Sequence, residues 1–123
     1  MKASIRKCGN ELRLNIQLIV PATDRAPAYY MINCAHPIHF EDIFGSGGTW
    51  TKRIRGIRAN ASLLSHAELD EAEILDDGDP KDLAARLRKM MTELDMLNVF
   101  GGCCGTDHRH VSEIGRVCIP ALT

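Results

Sequence analysis

The stretch NVFGGCCGTDHRH, residues 98–110, presents two adjacent cysteines, Cys103 and Cys104, flanked on both sides by glycine. The apolar, branched run that leads into it predicts a short buried strand over residues 96–102. Neighbouring cysteines do not easily bond to each other, and an apolar core has no need of two consecutive thiols. The motif therefore predicts a strand that ends in a pair of thiols with a chemical role.

Two further segments have the composition of short strands. AYYMINC, residues 28–34, follows the turn signals of ATDRAP, and RIRGIRANAS, residues 53–62, follows the glycine-rich GSGGTW. Asp79 and Pro80 are typical of a helix start, with apolar residues at helical spacing behind them. Because strands alternate with helices, we predict an α/β fold built from parallel βα units, with the three strands adjacent in one sheet.

Two more helices are expected. HPIHFEDIF, residues 36–44, is expected to begin a helix with Ile38, Ile43 and Phe44 turned inward. After the cysteines, Thr106 or Asp107 is expected to cap a short helix whose apolar stripe is Val111, Ile114 and Val117.

Each predicted strand ends in residues whose side chains can bind a ligand or react. Asn33 and Cys34 end the first strand, Asn60 ends the second, and Cys103 and Cys104 end the third. Parallel α/β folds build their sites at the carboxyl ends of strands, so these residues are expected to lie at one end of the sheet.

The N-terminal segment has a different pattern. ELRLNIQLIV, residues 11–20, alternates polar and apolar side chains with a strand-like period, and the Gly9-Asn10 pair before it could close a hairpin. We therefore treat residues 1–21 as a divergent segment, a hairpin or a helix remnant, and residues 22–123 as the domain proper.

Composition excludes several classes of protein. The formal net charge is −1, which argues against nucleic acid and acidic membrane surfaces as partners. The charges of KRIRGIR, residues 52–58, fit solvated side chains at a sheet edge as well as they fit RNA. The longest apolar run is far too short to span a bilayer. The five cysteines do not have the spacing of a secreted disulfide framework, so we predict a reducing cytoplasm and free thiols.

Zinc is the ligand that explains the thiol pair best. A catalytic zinc site takes three protein ligands and leaves a fourth position open. Cys103 and Cys104 would supply two ligands, and the glycines at 101, 102 and 105 are expected to let both side chains turn toward one ion. The residues alone leave the third ligand open between Cys34 and the histidines of a mixed site, which are His36, His39, His108 and His110. Buried cysteines also act as small apolar side chains, and that interpretation is adopted for Cys8 and Cys118.

MINCAHP, residues 31–37, together with GGCCGTDHRH, residues 101–110, resembles the homocysteine S-methyltransferase family. GIRANASLLSHAELDEAEILDDGDP, residues 56–80, is similar to the segment between these motifs in one bacterial-type branch of the family. The resemblance implies that the chain holds the last three βα units of a TIM (βα)₈ barrel. It further implies that three cysteines bind zinc, that the thiolate of homocysteine takes the fourth position, and that its sulfur attacks an activated methyl group to give methionine. Those cysteines are Cys34, Cys103 and Cys104.

A TIM barrel runs to about 250 residues, so these three units are expected to form an incomplete barrel with an open inner face. The expected partners are homocysteine, a small-molecule methyl donor, and either a complementary N-terminal half or further copies of the chain. Asn33 and Asn60 are predicted to bind substrate or to orient the site, and a structural turn role is equally open. The alternative function is a non-catalytic zinc-binding remnant or partner subunit of a divided methyltransferase.

Overall fold

The computed structural model describes residues 13, 16–44, 48–64, 68, 71, 73 and 76–122.

A three-stranded parallel sheet forms the centre of the described structure. Strand β1 is Tyr30–Ala35, β2 is Ile54–Ala59 and β3 is Val99–Gly102, in the spatial order β1-β2-β3. Both pairings are parallel, which confirms the predicted α/β arrangement with three adjacent strands. β2 is the middle strand, so the interpretation of KRIRGIR as charges at a sheet edge is wrong.

The two faces of the sheet have different environments. Ile32 pairs with Ile57, and both side chains are buried on the face that the helices cover. On the other face, Met31 pairs with Gly56, and Gly56 pairs with Val99. The side chains of Met31 and Val99 remain 40% and 39% exposed there. Side chains on parallel strands alternate between faces, so one face of this sheet carries the core and the other is open.

Two helices pack against each other and against the sheet. Helix α1 is Pro80–Met90, and helix α2 is His108–Leu122. Asp79 is the N-cap of α1, as predicted: its carboxylate accepts from the backbone N–H of Lys81 and Asp82. The buried stripe of α1 recurs at helical spacing and consists of Leu83, Ala84, Leu87 and Met90.

Helix α2 faces the core with a stripe that agrees only in part with the predicted one: Ile114 is buried and Val117 packs against the core, as predicted. The buried residues are His110, Ile114 and Cys118, which are four positions apart. This stripe leaves Val111 on the outer side, where it is 57% exposed, so the expectation that Val111 points inward is wrong. Cys118 is a buried member of the core, as predicted.

The predicted helix over residues 36–44 is instead a pair of short 3₁₀ turns, Pro37–His39 and Glu41–Ile43. The backbone of Phe40 at φ −139° separates the two turns. Ile38 is exposed, contrary to the prediction, whereas Phe44 is buried and Ile43 packs against the core, as predicted. The aromatic rings of Phe40, Phe44 and Trp50 pack in series, so this segment contributes to the core by aromatic contacts.

Residues 16–22 are helical. The strand-like interpretation is therefore wrong for that part of the N-terminal segment, and the helix alternative agrees with it. In a helix, Ile16 and Val20 are one turn apart; Ile16 is fully buried and Val20 packs against the core, while Leu18 is exposed. The expected hairpin around Gly9 lies outside the described residues.

The three strands and their helices are compatible with a set of βα units, and they do not by themselves close a barrel. Among the residues that the structure describes, no helix combines the length and the apolar character needed to cross a bilayer.

Candidate active site

Three sulfur atoms meet at the carboxyl end of the sheet. The Sγ atoms of Cys34 and Cys103 lie 2.6 Å apart, and those of Cys103 and Cys104 lie 3.9 Å apart. Cys34 is at the end of β1 and Cys103 directly follows β3, so the two outer strands meet across the end of β2. The structure thus brings together all three cysteines that the sequence singled out.

Cys34 has a backbone conformation that side-chain residues rarely adopt. Its φ of 58° is in the left-handed region, and the pairing of β1 with β2 shifts register between Asn33 and Ala35. A bulge of this kind breaks the alternation of side chains along a strand, and a left-handed non-glycine residue costs about 1–2 kcal/mol. Strained residues of this type concentrate at functional sites.

The glycines around the thiol pair have separate roles. Gly105 has a φ of 77°, which favours glycine, and a Cβ atom there would lie 2.6 Å from the carbonyl oxygen of Asp76. Gly101 and Gly102 belong to β3 and do not have positive φ, so the expectation that all three glycines make the turn is wrong. The side chain of Thr106 occupies the place of a Cβ at Gly102, whereas the space beside Gly101 is open.

The contact between Cys34 and Cys103 shifts the pKa values of the two thiols in opposite directions. The hydrogen bond from the Cys34 thiol lowers the pKa of Cys103, and the nearby positive charge of Arg58 contributes in the same direction. The same hydrogen bond raises the pKa of Cys34, as do burial and the negative charge of its neighbours. The arrangement favours Cys103 over Cys34 as the thiolate of the pair, with the Cys34 thiol donating the hydrogen bond.

Arg58 is a site residue that the sequence analysis missed. Its Nε donates to the carbonyl oxygen of Gly102 at 3.2 Å, and its Nη1 donates to Oδ1 of Asn33 at 3.1 Å. These bonds hold a permanent positive charge across the ends of all three strands, beside the thiols. Among several arginines in KRIRGIR, only the alternation of the middle strand could have indicated which one faces this side.

The two asparagines at the strand ends have different neighbours. Asn33 is exposed and accepts from Arg58. Asn60 is 3% exposed; its Nδ2 donates to the Cys34 carbonyl oxygen at 3.0 Å, and its Oδ1 accepts from the backbone N–H of Cys104 at 3.1 Å. The amide of Asn60 therefore bridges the two segments that carry the cysteines.

Two of the four histidines near the cysteines, His36 and His110, have structural hydrogen bonds, whereas the buried Nε2 of His39 has no hydrogen-bond partner among the described residues. His36 is buried and its Nδ1 accepts from the backbone N–H of Ile38, which caps the first 3₁₀ turn. Burial, together with the charge of Arg86, lowers the pKa of His36 to about 4, so the ring is neutral at pH 7. His110 is fully buried, and its Nε2 lies 2.7 Å from the carbonyl oxygen of Asp77, a bond that ties α2 to the loop before α1.

Three thiol ligands suit a thiophilic metal ion, but one of the two distances between their sulfur atoms is too short for a bound ion. Two sulfurs bound to one tetrahedral zinc at about 2.3 Å would lie about 3.8 Å apart. The 3.9 Å contact between Cys103 and Cys104 agrees with this spacing, and the 2.6 Å contact of Cys34 would have to open by roughly 1 Å. Within the described ranges, no group of three or more His, Cys, Asp or Glu side chains has the arrangement of a metal site.

A family model for homocysteine S-methyltransferase matches residues 7–118, which is most of the chain and includes all three clustered cysteines. The chain belongs to the homocysteine S-methyltransferase family. This confirms the resemblance, and it supports methyl transfer to a thiol as the general chemistry of the family. The match also includes most of the N-terminal segment that the sequence analysis set apart; the domain boundary at residue 21 stays a prediction. No curated protein and no solved structure matches the chain significantly.

Proposed function

We propose that the chain is the zinc-carrying C-terminal part of an enzyme that transfers a methyl group to the thiol of homocysteine and forms methionine. The observation that carries this proposal is the chain of sulfur contacts from Cys34 through Cys103 to Cys104, at the carboxyl end of a parallel sheet in a member of this family. Free thiols are required for this role, and these three cysteines are free. The proposal therefore includes a reducing, cytoplasmic location.

The residues of the chain have distinct roles in this proposal. Cys34, Cys103 and Cys104 would hold the ion, which when bound supplies a positive charge that keeps a fourth thiol deprotonated at neutral pH. Arg58 partly balances the negative charge that three thiolates and a substrate thiolate bring to the site. Asn33 presents an exposed amide beside Arg58, and substrate binding by Asn33 stays part of the proposal. The amide of Asn60 is bonded to both cysteine segments, so Asn60 would take the alternative role of orienting the site.

The chemistry balances without an oxidant or reductant. The thiol of homocysteine loses its proton to water, and a bond forms between its sulfur and the methyl carbon. The bond from the methyl group to the donor breaks, and its electron pair leaves with the donor. The open face of the sheet, where Met31 and Val99 are exposed, is the side on which the remaining strands of a TIM barrel, supplied by a complementary half or a second copy, would close the site.

Metal content tests the ligand assignment. The purified chain should bind about one zinc ion per molecule. Cys34→Ala, Cys103→Ala and Cys104→Ala should each reduce metal content sharply. Cys8→Ser and Cys118→Ala are controls that remove a thiol outside the proposed ligand set, and both variants should keep their metal content. Equal zinc retention in all five variants would overturn the assignment.

Methionine formation tests the activity and separates it from the alternative of a non-catalytic zinc-binding remnant or subunit. Homocysteine is supplied with each of several methyl donors, to the chain alone and to the chain mixed with an N-terminal half from a relative. Orientation of the reacting groups is worth roughly 7–11 kcal/mol in favourable systems, so the expected result is negligible turnover alone and zinc-dependent turnover with the half. A chain that binds zinc but stays inactive in every mixture supports the non-catalytic alternative.

A further inference from the structure

Asn60 connects two parts of the site that are far apart in sequence. Its side chain bonds the carbonyl oxygen of Cys34 on one side and the backbone N–H of Cys104 on the other, at 3.0 and 3.1 Å. Asn60 is only 3% exposed, so its amide group is shielded from solvent. A buried amide whose donor and acceptor are both satisfied is held in one orientation, because leaving either atom unpaired costs about 1–3 kcal/mol.

The backbone around Asn60 is fixed by the same two segments. Its own N–H donates to the carbonyl oxygen of Ala35 at 3.1 Å, and the N–H of Ala61 donates to the carbonyl oxygen of Cys104 at 3.0 Å. The N–H of Cys103 donates to the carbonyl oxygen of Ala59 at 2.8 Å. The end of β2 is therefore the common support of both thiol-bearing segments.

Cys34 depends on this support more than the thiol pair does. Its left-handed backbone is unfavourable, so it persists only where surrounding contacts over-determine it. The Asn60 bond is made to the carbonyl group of this same residue. Loss of the bond should let Cys34 relax toward an extended conformation, and its sulfur would then turn away from Cys103.

We propose that Asn60 is a positioning residue that fixes the sulfur of Cys34 relative to Cys103 and Cys104 by bridging their backbones. The role of Asn60 in geometry stands on the hydrogen bonds alone; its consequence for metal binding rests on the proposed function. The side chain acts through Cys34 and Cys104, so its removal should change how many thiolates reach one ion.

Two substitutions separate the two bonds. Asn60→Asp keeps an acceptor for the N–H of Cys104 but has no donor for the carbonyl oxygen of Cys34, and Asn60→Ala loses both. Ser62→Ala is the matched control, because Ser62 is equally buried two positions further on, and its hydroxyl bonds Asp76 instead of a cysteine segment. Thermal unfolding of each variant shows whether it is folded; should Asn60→Ala not fold, Asn60→Asp carries the test.

Cobalt substitution reports the number of thiolates on the ion through the intensity of the sulfur-to-metal absorption. The wild type should show three thiolates, and Asn60→Asp should show two, like Cys34→Ala. Zinc affinity should fall about 10- to 100-fold in Asn60→Asp and stay unchanged in Ser62→Ala. The double variant Asn60→Asp with Cys34→Ala should bind no more weakly than Cys34→Ala alone, because the two changes remove the same ligand. Additive losses, or wild-type absorption in Asn60→Asp, would overturn the proposal.

Two measurements on the metal-free chain keep this test independent of zinc. Amide hydrogen exchange at Cys104 should speed up in Asn60→Ala, which lacks the acceptor, and stay protected in Asn60→Asp. The rate at which diamide joins Cys34 to Cys103 should fall in both variants. A wild-type chain that binds no metal, with these two effects present, would refute the proposed function and leave the positioning role supported. Unchanged exchange and oxidation in both variants would refute the positioning role.

Discussion

The sulfur atoms of Cys34 and Cys103 lie 2.6 Å apart, although 69 positions separate the residues in the chain and they belong to the ends of different outer strands. Nothing in either strand alone produces this contact. It requires the parallel pairing of both strands with β2 and the left-handed backbone of Cys34.

This contact predicts which disulfide forms first on mild oxidation. Diamide should take up two electrons and two protons from the thiols and join Cys34 to Cys103, because their sulfurs need to move least. Cys118 is buried in the core and should not react. Digestion and mass spectrometry identify the product, and prior addition of zinc should slow its formation. A first disulfide that joins Cys103 to Cys104 would contradict the geometry.

A second prediction concerns the N-cap of α1. Asp79→Ala should lower the free energy of unfolding by about 1 kcal/mol, because two backbone N–H groups lose their acceptor. Asp79→Asn keeps an acceptor of the same shape and should stay within a few tenths of a kcal/mol of the wild type. Urea unfolding followed by circular dichroism measures both. Equal losses in the two variants would mean that charge, and not capping, is what Asp79 contributes.

The sequence indicated where the strands lie because their signals are local, but the third was predicted too long and as buried: β3 is only Val99–Gly102, and each of its residues is at least partly exposed. Apolar runs bounded by turn residues predicted β1, β2 and β3, and the cap at Asp79 with Pro80 marked the start of α1. The register that sets Arg58 beside Asn33 and Gly102 is not local, because it depends on how three strands align. The same reason explains why Asn60 was recognised as a strand-end residue but its bridge between the cysteine segments was not.

The wrong predictions for α2 and for the N-terminal segment also have non-local contacts as their reason. Val111 and Ile114 fit one helical stripe by spacing, but the helix turns His110 inward, where its ring bonds the carbonyl oxygen of Asp77. A buried polar side chain with a partner from another loop cannot be anticipated from hydrophobic periodicity. The alternation around Ile16 predicted a strand, and only packing against the core distinguishes the helix.

A third prediction concerns how the free energy of unfolding depends on pH. The hydroxyl of Ser62 and the N–H of Gly78 hold the pKa of Asp76 below its usual value. A depressed folded-state pKa stabilises the fold above the unfolded pKa of about 3.9, and this contribution is lost as the pH falls through the folded-state value. Ser62→Ala should therefore cost about 1 kcal/mol at pH 7 and less at pH 3. The bond from the N–H of Leu64 to Ser62 does not titrate, so part of the difference should remain in acid.

Unfolding of Ser62→Ala and the wild type at several pH values checks this dependence. A difference that grows as the pH falls below 4 would contradict the assignment of Asp76 as the titrating partner.

The last prediction separates the glycines of the thiol motif. Gly105→Ala places a side chain on a left-handed backbone, which costs about 1–2 kcal/mol, and its Cβ would lie 2.6 Å from the carbonyl oxygen of Asp76. Gly101→Ala is the matched control, because a Cβ there meets no atom within 4 Å. Gly105→Ala should lower the melting temperature and also reduce zinc binding, since relief of the clash displaces the adjacent Cys104. Gly101→Ala should keep both properties close to those of the wild type. Thermal unfolding and metal content measured on the same preparations check the pair, and equal behaviour of the two variants would show that the turn at Gly105 does not determine where Cys104 lies.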